Sequence, residues 1–263
     1  MTTTVAVVGA TGKLGRLISG LVDESDDFEL VARIDSKGSL DDILAADLVV
    51  DVTVPAVSQG IVDFAVDHGL SVLVGTSGWS NDRIRSLEKR VAARNAADGS
   101  QVGVIIIPNF SLGSVLATAF AAMAARFYDS IEIIESHSAS KVDSPSGTAT
   151  RTAELIGNAR ASLGPVVAPH TDQRARGQQV SSVPIHSLRL QGVVAKQDVI
   201  FGGTGEILTL SHETIEQTAY VAGIRLALAA LPRTRGVVVG LDKLIDLGSA
   251  DPSPESPAPI ETT

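Results

Sequence analysis

Along the first hundred residues the apolar positions fall in short runs: residues 5–8 (VAVV), 28–34 (FELVARI), 47–53 (DLVVDVT), 71–75 (SVLVG) and 102–107 (VGVIII). Runs of this length bounded by Gly, Asp and Ser read as strands, and near-continuous apolar ones suit a sheet covered on both faces. Between them lie helical segments: one starting near Lys13, one from Pro55 to about His68, and one over residues 81–97 that is charged on one face. His68, beside Gly69 at a helix end, is read as meeting the last carbonyls. Five strands alternating with helices over short connections predict a doubly wound parallel sheet. A long small-residue helix over residues 111–127 then leads out of this domain, and Phe120, Met123 and Phe127 on it are read as core positions.

The second half has another texture. Residues 131–136 (IEIIES) are β-branched and apolar enough for a strand. Ser144 reads as a helix N-cap and Pro145 as the first helical position, after which Ala149, Thr152, Ala153, Ile156 and Ala159 repeat at helical spacing. Residues 161–182 show no periodicity and read as a long loop, whose Arg174 and Arg176 either meet an anionic substrate or are solvated. VPIHSLRL, VVAKQDVIF and EILTLSH then read as three strands, and the turns Gln191-Gly192 and residues 202–205 between them suggest antiparallel pairing. His186 and His212 occupy strand positions and read as structural. A helix over residues 214–231, capped by Ser211 or Glu213 and stopped by Pro232, is expected to return to the first domain. The expected fold is therefore α/β: a dinucleotide-binding domain over 1–110 completed by 214–248, and an α+β domain over 111–213 with a mixed, mostly antiparallel sheet. A Pro-rich acidic tail over 249–263 is expected to be disordered.

Composition narrows the chemistry. The net charge is −9 with no basic cluster, which argues against a nucleic-acid partner. The chain has no cysteine, so disulfides, thiolate metal sites and thiol nucleophiles are excluded, and no His/Asp/Glu grouping has metal-ligand spacing. The N-terminus lacks a leader pattern and the longest apolar run is too short to cross a bilayer. The expectation is a soluble cytoplasmic protein with no membrane partner.

Three stretches carry candidate chemistry. The first strand runs into GATGKLG, where Gly9, Ala10, Thr11 and Gly12 let backbone approach a pyrophosphate and the helix starting near Lys13 aims its N-terminus at that charge. Gly15 permits close packing of that helix on the strand. Asp35, ending the second strand, either holds the ribose hydroxyls, favouring NAD, or is solvated before a turn; Arg33 and Lys37 leave NADPH open. Gly75, Thr76 and Ser77 follow the fourth strand and are either a second cofactor contact or a plain turn. The third stretch is ESHSASKVDSPSGTAT, residues 135–150. It places His137 and Lys141 between strand and helix as a candidate acid/base pair, and amides near Ser146, Gly147 and Thr148 suit a carboxylate or phosphate. The alternative is a solvated loop before an ordinary helix start.

GATGKLGR, GTSG, PNFSLG, the block H-x-x-x-K-x-D-x-P-S-G-T-A from His137 to Ala149, and FGGTGE together resemble the 4-hydroxy-tetrahydrodipicolinate reductase (dihydrodipicolinate reductase) family, to about Gly248. The resemblance implies a Rossmann domain, a substrate domain whose sheets assemble a homotetramer, and reduction of a cyclic imine-type dicarboxylate by NADH or NADPH in lysine and diaminopimelate biosynthesis. It implies that Lys141 is the proton donor, His137 the acid/base residue, and Gly147 and Thr148 substrate-carboxylate contacts. It likewise implies cofactor contacts at Gly9, Ala10, Thr11, Gly12, Lys13, Leu14, Gly75, Thr76, Ser77, Ile107, Pro108, Asn109 and Phe110, with Asp35 on the ribose. The family usually has a second histidine, which helps bind substrate, where this chain has Ser138. That departure motivates an alternative, a reductase of the same fold for another cyclic imine or unsaturated dicarboxylate. A non-catalytic dinucleotide sensor is a further alternative, against which His137 and Lys141 argue.

Overall fold

The computed structural model describes residues 2–245, so the tail expected over 249–263 lies outside the described residues. In the first half the apolar runs become β1 (Thr3–Val8), β2 (Phe28–Ile34), β3 (Leu48–Asp51), β4 (Ser71–Val74) and β5 (Gly103–Ile106), alternating with α1 (Lys13–Asp23), α2 (Pro55–Asp67) and α3 (Asn81–Asp98). Because strand side chains alternate, one set of apolar residues (Val5, Val7, Val50, Leu73, Ile105) packs on one face. The intervening set (Ala6, Val8, Val49, Val72, Ile106) packs against α2 and α3 on the other. Each fully buried Val or Ile contributes about 1.5–3 kcal/mol, enough that a one-residue slip of register is strongly disfavoured.

The sheet is parallel and has a sixth strand that the sequence reading missed. Its order is β11-β5-β4-β3-β1-β2, and β11 (Gly236–Val239) pairs in parallel with β5. A four-residue apolar run after Pro232 has no periodicity to mark it; β5 supplies the partner. α6 (Val221–Ala230) packs Ile224, Ala227 and Leu228 into the same core as Val5 and Ile105. The strand order reverses between β1 and β3, and ligands bind at such a switch point, beyond the carboxyl ends of the strands.

α4 (Leu112–Ala124) links this sheet to a second one of order β10-β9-β6-β8-β7, built from β6 (Ser130–Ser138), β7 (Gln178–Val180), β8 (Val183–Leu190), β9 (Ala195–Gly203) and β10 (Glu206–Thr214). α5 (Gly147–Ala159) buries Ala149, Thr152, Ala153 and Ile156. The three apolar ones pack with Ile131, Ile133, Val199 and Phe201 of the sheet.

Several expectations are corrected here. β6 continues through His137 and Ser138, which are strand residues and not loop residues, because they stay in register with Arg189 and Leu190 of β8. β8 runs parallel to β6, so the turn at Gln191-Gly192 does not join neighbouring strands; only β9 and β10 form the expected hairpin. The helix N-cap is Ser146 and not Ser144. Ser146 Oγ accepts from the Ala149 amide and the Ser146 amide donates to buried Glu135, a tertiary partner invisible in the sequence. The helix expected from residue 214 begins at Val221, since β10 holds Thr214 against Ala195. Phe120, Met123 and Phe127 are exposed rather than core, for α4 turns mainly its small side, with Ser114 and Ala121, inward. The segment read as a loop over 161–182 contains β7, and Arg176 is ion-paired with Glu132.

Candidate active site

The glycine turn is shaped by contacts that no side chain permits. Gly9 has φ of +88°, and a Cβ there would sit 2.6 Å from the Val52 carbonyl oxygen; one on Gly15 would sit 2.1 Å from that of Gly9. The amides of Gly9 and Ala10 both donate to Ile34 O at the end of β2, at 2.8 and 3.2 Å. α1 has Gly12 as its N-cap and no side-chain cap, so its first amides stay available to an anion. This cradle fits a dinucleotide pyrophosphate. Arg16 donates to Thr11 O, bracing the turn. Asp35 directs Oδ1 to the amides of Lys37 and Gly38, at 2.8 and 3.2 Å, which fixes its carboxylate at the tip of β2.

Asp51 was missed by the sequence reading. It ends β3 fully buried, and its carboxylate accepts from the Thr53 amide at 3.1 Å, the Thr53 hydroxyl at 2.6 Å and the Ser58 hydroxyl. The residue thereby sets the loop on which Gly9 packs. An Asp closing an otherwise apolar run was its signal. Thr76 is buried and reaches Asp51 O, while a Cβ at Gly75 would meet the Phe110 ring at 2.8 Å.

A cleft of about 360 Å³ opens between the two sheets. Of the residues singled out from sequence for binding or catalysis, Lys13, Leu14, Gly75, Pro108, Asn109, Phe110, His137, Ser146 and Thr148 line it. Gly9, Ala10, Thr11, Gly12, Asp35, Thr76, Ser77 and Ile107 belong to the neighbouring turns and strand ends and are not among its lining residues. Ser138, Lys141 and Gly147 are not among them either. Ser138 Oγ lies 3.0 Å from Ser140 Oγ, and Lys141 Nζ is held by both oxygens of Asp143 at 2.8 Å. That ammonium, foremost, holds the Asp143 carboxyl below its ordinary range. Lys141 thus rests on Asp143, outside the lining of the cleft.

His137 is oriented by a buried carboxylate. Its Nδ1 lies 2.5 Å from Glu135 Oε2, so the Nδ1 proton points at Glu135 and Nε2 is the free ring position. Glu135 is fully buried, and Arg189 grips both of its oxygens at 2.9 Å while donating also to Asp143 O. Burial by itself would raise the Glu135 carboxyl; hydrogen bonds from Arg189, Ser187 and His137 more than offset it and hold it below the usual range. Arg189 thus ties the Lys141 loop to the residue that orients His137. Neither Glu135 nor Arg189 was marked as functional in the sequence; only the register of β6 with β8 brings them together.

At the start of α5, Ser146 takes the Ala149 amide, and helix geometry leaves the amides of Gly147 and Thr148 without intrahelical partners. A Cβ at Gly147 would meet nothing within 4 Å, so a ligand can approach there. His212, read as structural, lines the cleft with Nε2 3.2 Å from Ser111 Oγ, and burial pulls it toward the neutral form. Gln197, Gln217 and Tyr220 complete a wall that sequence reasoning did not assign. Among the described residues no group of His, Asp and Glu could hold a metal ion.

A nucleotide-binding parallel sheet facing, across one cleft, a mixed sheet that presents His137 beside a helix N-terminus defines a two-domain dinucleotide-dependent oxidoreductase. Comparison with known proteins makes this specific. Residues 3–110 match the model of the dihydrodipicolinate reductase N-terminus and residues 113–245 that of its C-terminus, and the chain belongs to that family. It is 69% identical over 94% of its length to the 4-hydroxy-tetrahydrodipicolinate reductase of Clavibacter sepedonicus, covering 87% of that protein. It is 68% identical, with the same coverage of both chains, to the enzyme of that name from Clavibacter michiganensis subsp. michiganensis. Among solved structures it resembles a dipicolinate-bound dihydrodipicolinate reductase from Paenisporosarcina sp. TG-14 with a TM-score of 0.77 and 26% identity, over 93% of this chain and 100% of that one.

Proposed function

We propose that this chain reduces 4-hydroxy-tetrahydrodipicolinate to tetrahydrodipicolinate with NADH or NADPH, in lysine and diaminopimelate biosynthesis. The observation that carries the reading is the cleft itself, which has Lys13 and Leu14 at the start of α1 with Gly75 and Asn109 on one side and His137 and Thr148 on the other. In net terms the ring hydroxyl leaves as water, taking one proton, and a hydride takes its place on the ring. The nicotinamide supplies that hydride when bound. The tight turn at Gly9, Ala10, Thr11 and Gly12 would bring the pyrophosphate to the free amides at the start of α1, Asp35 would hold the ribose, and residues 75–77 and 107–110 would hold the nicotinamide end.

The chain's own task is charge and proton management. Hydride delivery to an electron-poor carbon leaves negative charge on its neighbours, which a placed cation and proton donor relieve. Lys141, once released from Asp143, does both. His137, fixed by Glu135, is the acid/base partner, and such catalysis is worth roughly 10²–10⁴ in rate. Gly147 and Thr148 present amides to a substrate carboxylate, as does the hydroxyl of Ser138 in a weaker, uncharged way. The expected division into a dinucleotide-binding part, 1–110 with 214–248, and a substrate part, 111–213, fits these roles once its second boundary is moved past Thr214, which belongs to β10 of the second sheet. Exposed Leu188, Leu190 and Ile207 on the outer face of the second sheet support assembly through that sheet into a homotetramer. A biosynthetic reduction that draws on NADH or NADPH places the site of action in the cytoplasm, and no helix among the described residues is long and apolar enough to cross a membrane.

The test is oxidation of NADH and of NADPH, followed by the loss of the reduced nicotinamide's absorbance, with freshly generated 4-hydroxy-tetrahydrodipicolinate. Substrate-dependent oxidation supports the reading. Its absence with both cofactors sinks it, and favours the different-substrate alternative raised by Ser138.

A further inference from the structure

Gln197 on β9 stands directly across from Glu135 on β6, one step along the same face from the pair His137 and Ala195. It is only 8% exposed and lines the cleft beside His137 and Thr148. Its amide is anchored at one end. Gln197 Nε2 donates to Thr152 Oγ1 at 3.0 Å, Thr152 Oγ1 donates to Thr148 O at 2.9 Å, and Thr118 Oγ1 lies 3.0 Å from the same hydroxyl. A hydroxyl has one proton and two lone pairs. With the Thr152 proton on Thr148 O, both other neighbours must donate to it, and Gln197 must present its NH₂ there. The orientation of the amide is therefore set by α5, and Oε1 is left as a buried acceptor with no partner among the described residues.

A buried acceptor beside a cleft is left to take a donor from a ligand or a water that enters there. Resting on the function proposed above, we propose that Gln197 is a specificity-determining residue whose Oε1 accepts a hydrogen bond from the ring hydroxyl of the substrate. In its imine form 4-hydroxy-tetrahydrodipicolinate has two carboxylates and a ring nitrogen, all acceptors, and the hydroxyl is its one donor. The product has lost that hydroxyl, and dipicolinate has none. Gln197 thus favours substrate over product and over planar dicarboxylates, which the amides at Gly147 and Thr148 would hold equally well. A site built to bond a hydroxyl discriminates against analogues lacking it because its own polar atom is then left unpaired. The carboxamide NH₂ of a nicotinamide is the competing donor.

Gln197→Met keeps the bulk and removes the acceptor. We expect the KM for 4-hydroxy-tetrahydrodipicolinate to rise about three- to tenfold, the loss of one net hydrogen bond, with a smaller change in kcat. The inhibition constant of dipicolinate and the Kd of NADH, read by fluorescence titration, should stay within a factor of about two. Thr152→Val, which leaves Gln197 in place but frees its amide, should give the same pattern at lower amplitude and serves if the first variant folds poorly. Equal weakening of substrate and dipicolinate would overturn the proposal in favour of a role in shape alone. A weakened NADH Kd would assign the acceptor to the nicotinamide, and no change in any constant would assign it to a trapped water; both overturn it. Failure of the unmodified protein to turn over substrate is a separate result, which removes the reading of function and the hydroxyl contact with it.

Discussion

Glu135→Gln tests the device that joins the two candidate acid/base residues. Glu135 has no exposed surface, and the Arg189 side chain that holds it is 19% exposed. The substitution keeps volume and one acceptor but removes the charge facing the guanidinium. Breaking a buried pair by deleting one partner costs about 3–5 kcal/mol. Arg189 keeps the carbonyls of Leu188 and Asp143, and glutamine keeps one oxygen, so we expect a smaller loss of about 2–3 kcal/mol. For a chain of this size that lowers Tm by about 4–12 °C. The pH dependence has a definite sign. The Glu135 carboxyl is depressed in the folded protein, so its contribution is fully present above its unfolded value of about 4.3 and is lost as pH falls through the folded value. The stability gap between the two proteins, measured by urea unfolding, should be largest at pH 6–7 and shrink below pH of about 4. kcat should fall by part of the roughly 10²–10⁴ that acid–base catalysis supplies, since Nδ1 of His137 loses its carboxylate. A variant as stable as the parent at pH 7, or a gap that does not change on acidification, would refute the reasoning.

Lys141→Ala should abolish turnover while leaving the Kd for NADH nearly unchanged, because Lys141 lies on the substrate side; near-normal turnover would remove its assignment as proton donor. Gly15→Ala places a methyl 2.1 Å from Gly9 O and 2.8 Å from Ala10 Cα, both backbone, so the cost should exceed the ~1–3 kcal/mol typical of overpacking. Loss of NADH binding or of soluble protein is expected, and normal binding would show that the turn shifts freely. Asp35→Asn should weaken NADH about tenfold, the loss of a charge-assisted bond, and NADPH less. Equal KM changes for the two cofactors would separate Asp35 from the ribose.

How much could be read beforehand depended on where the information sits. β1 to β5 and α1 to α3 were legible because each carries its own pattern, and GATGKLG was legible because only glycine fits at Gly9 and Gly15. The block from His137 to Ala149 was legible as chemistry, but not as geometry. Ser144 and Ser146 are equally good caps locally, and the buried carboxylate of Glu135 chose Ser146.

The sequence by itself determined the alternation that makes the first sheet parallel, the glycine turn at its switch point, the absence of thiol chemistry, and the identity of His137 and Lys141 as candidates. These are properties of short segments, set by periodicity, backbone conformation and residue type. Tertiary structure decided which residues share a face. It ran β8 parallel beside β6 and so put Arg189 on Glu135, and it brought Gln197 under α5 to meet Thr152. It also left Lys141 on Asp143, outside the cleft lining. Such pairings join residues 45 and 54 positions apart, and no local pattern encodes them. They exist because burying one polar group forces another, from wherever the chain passes, to satisfy it.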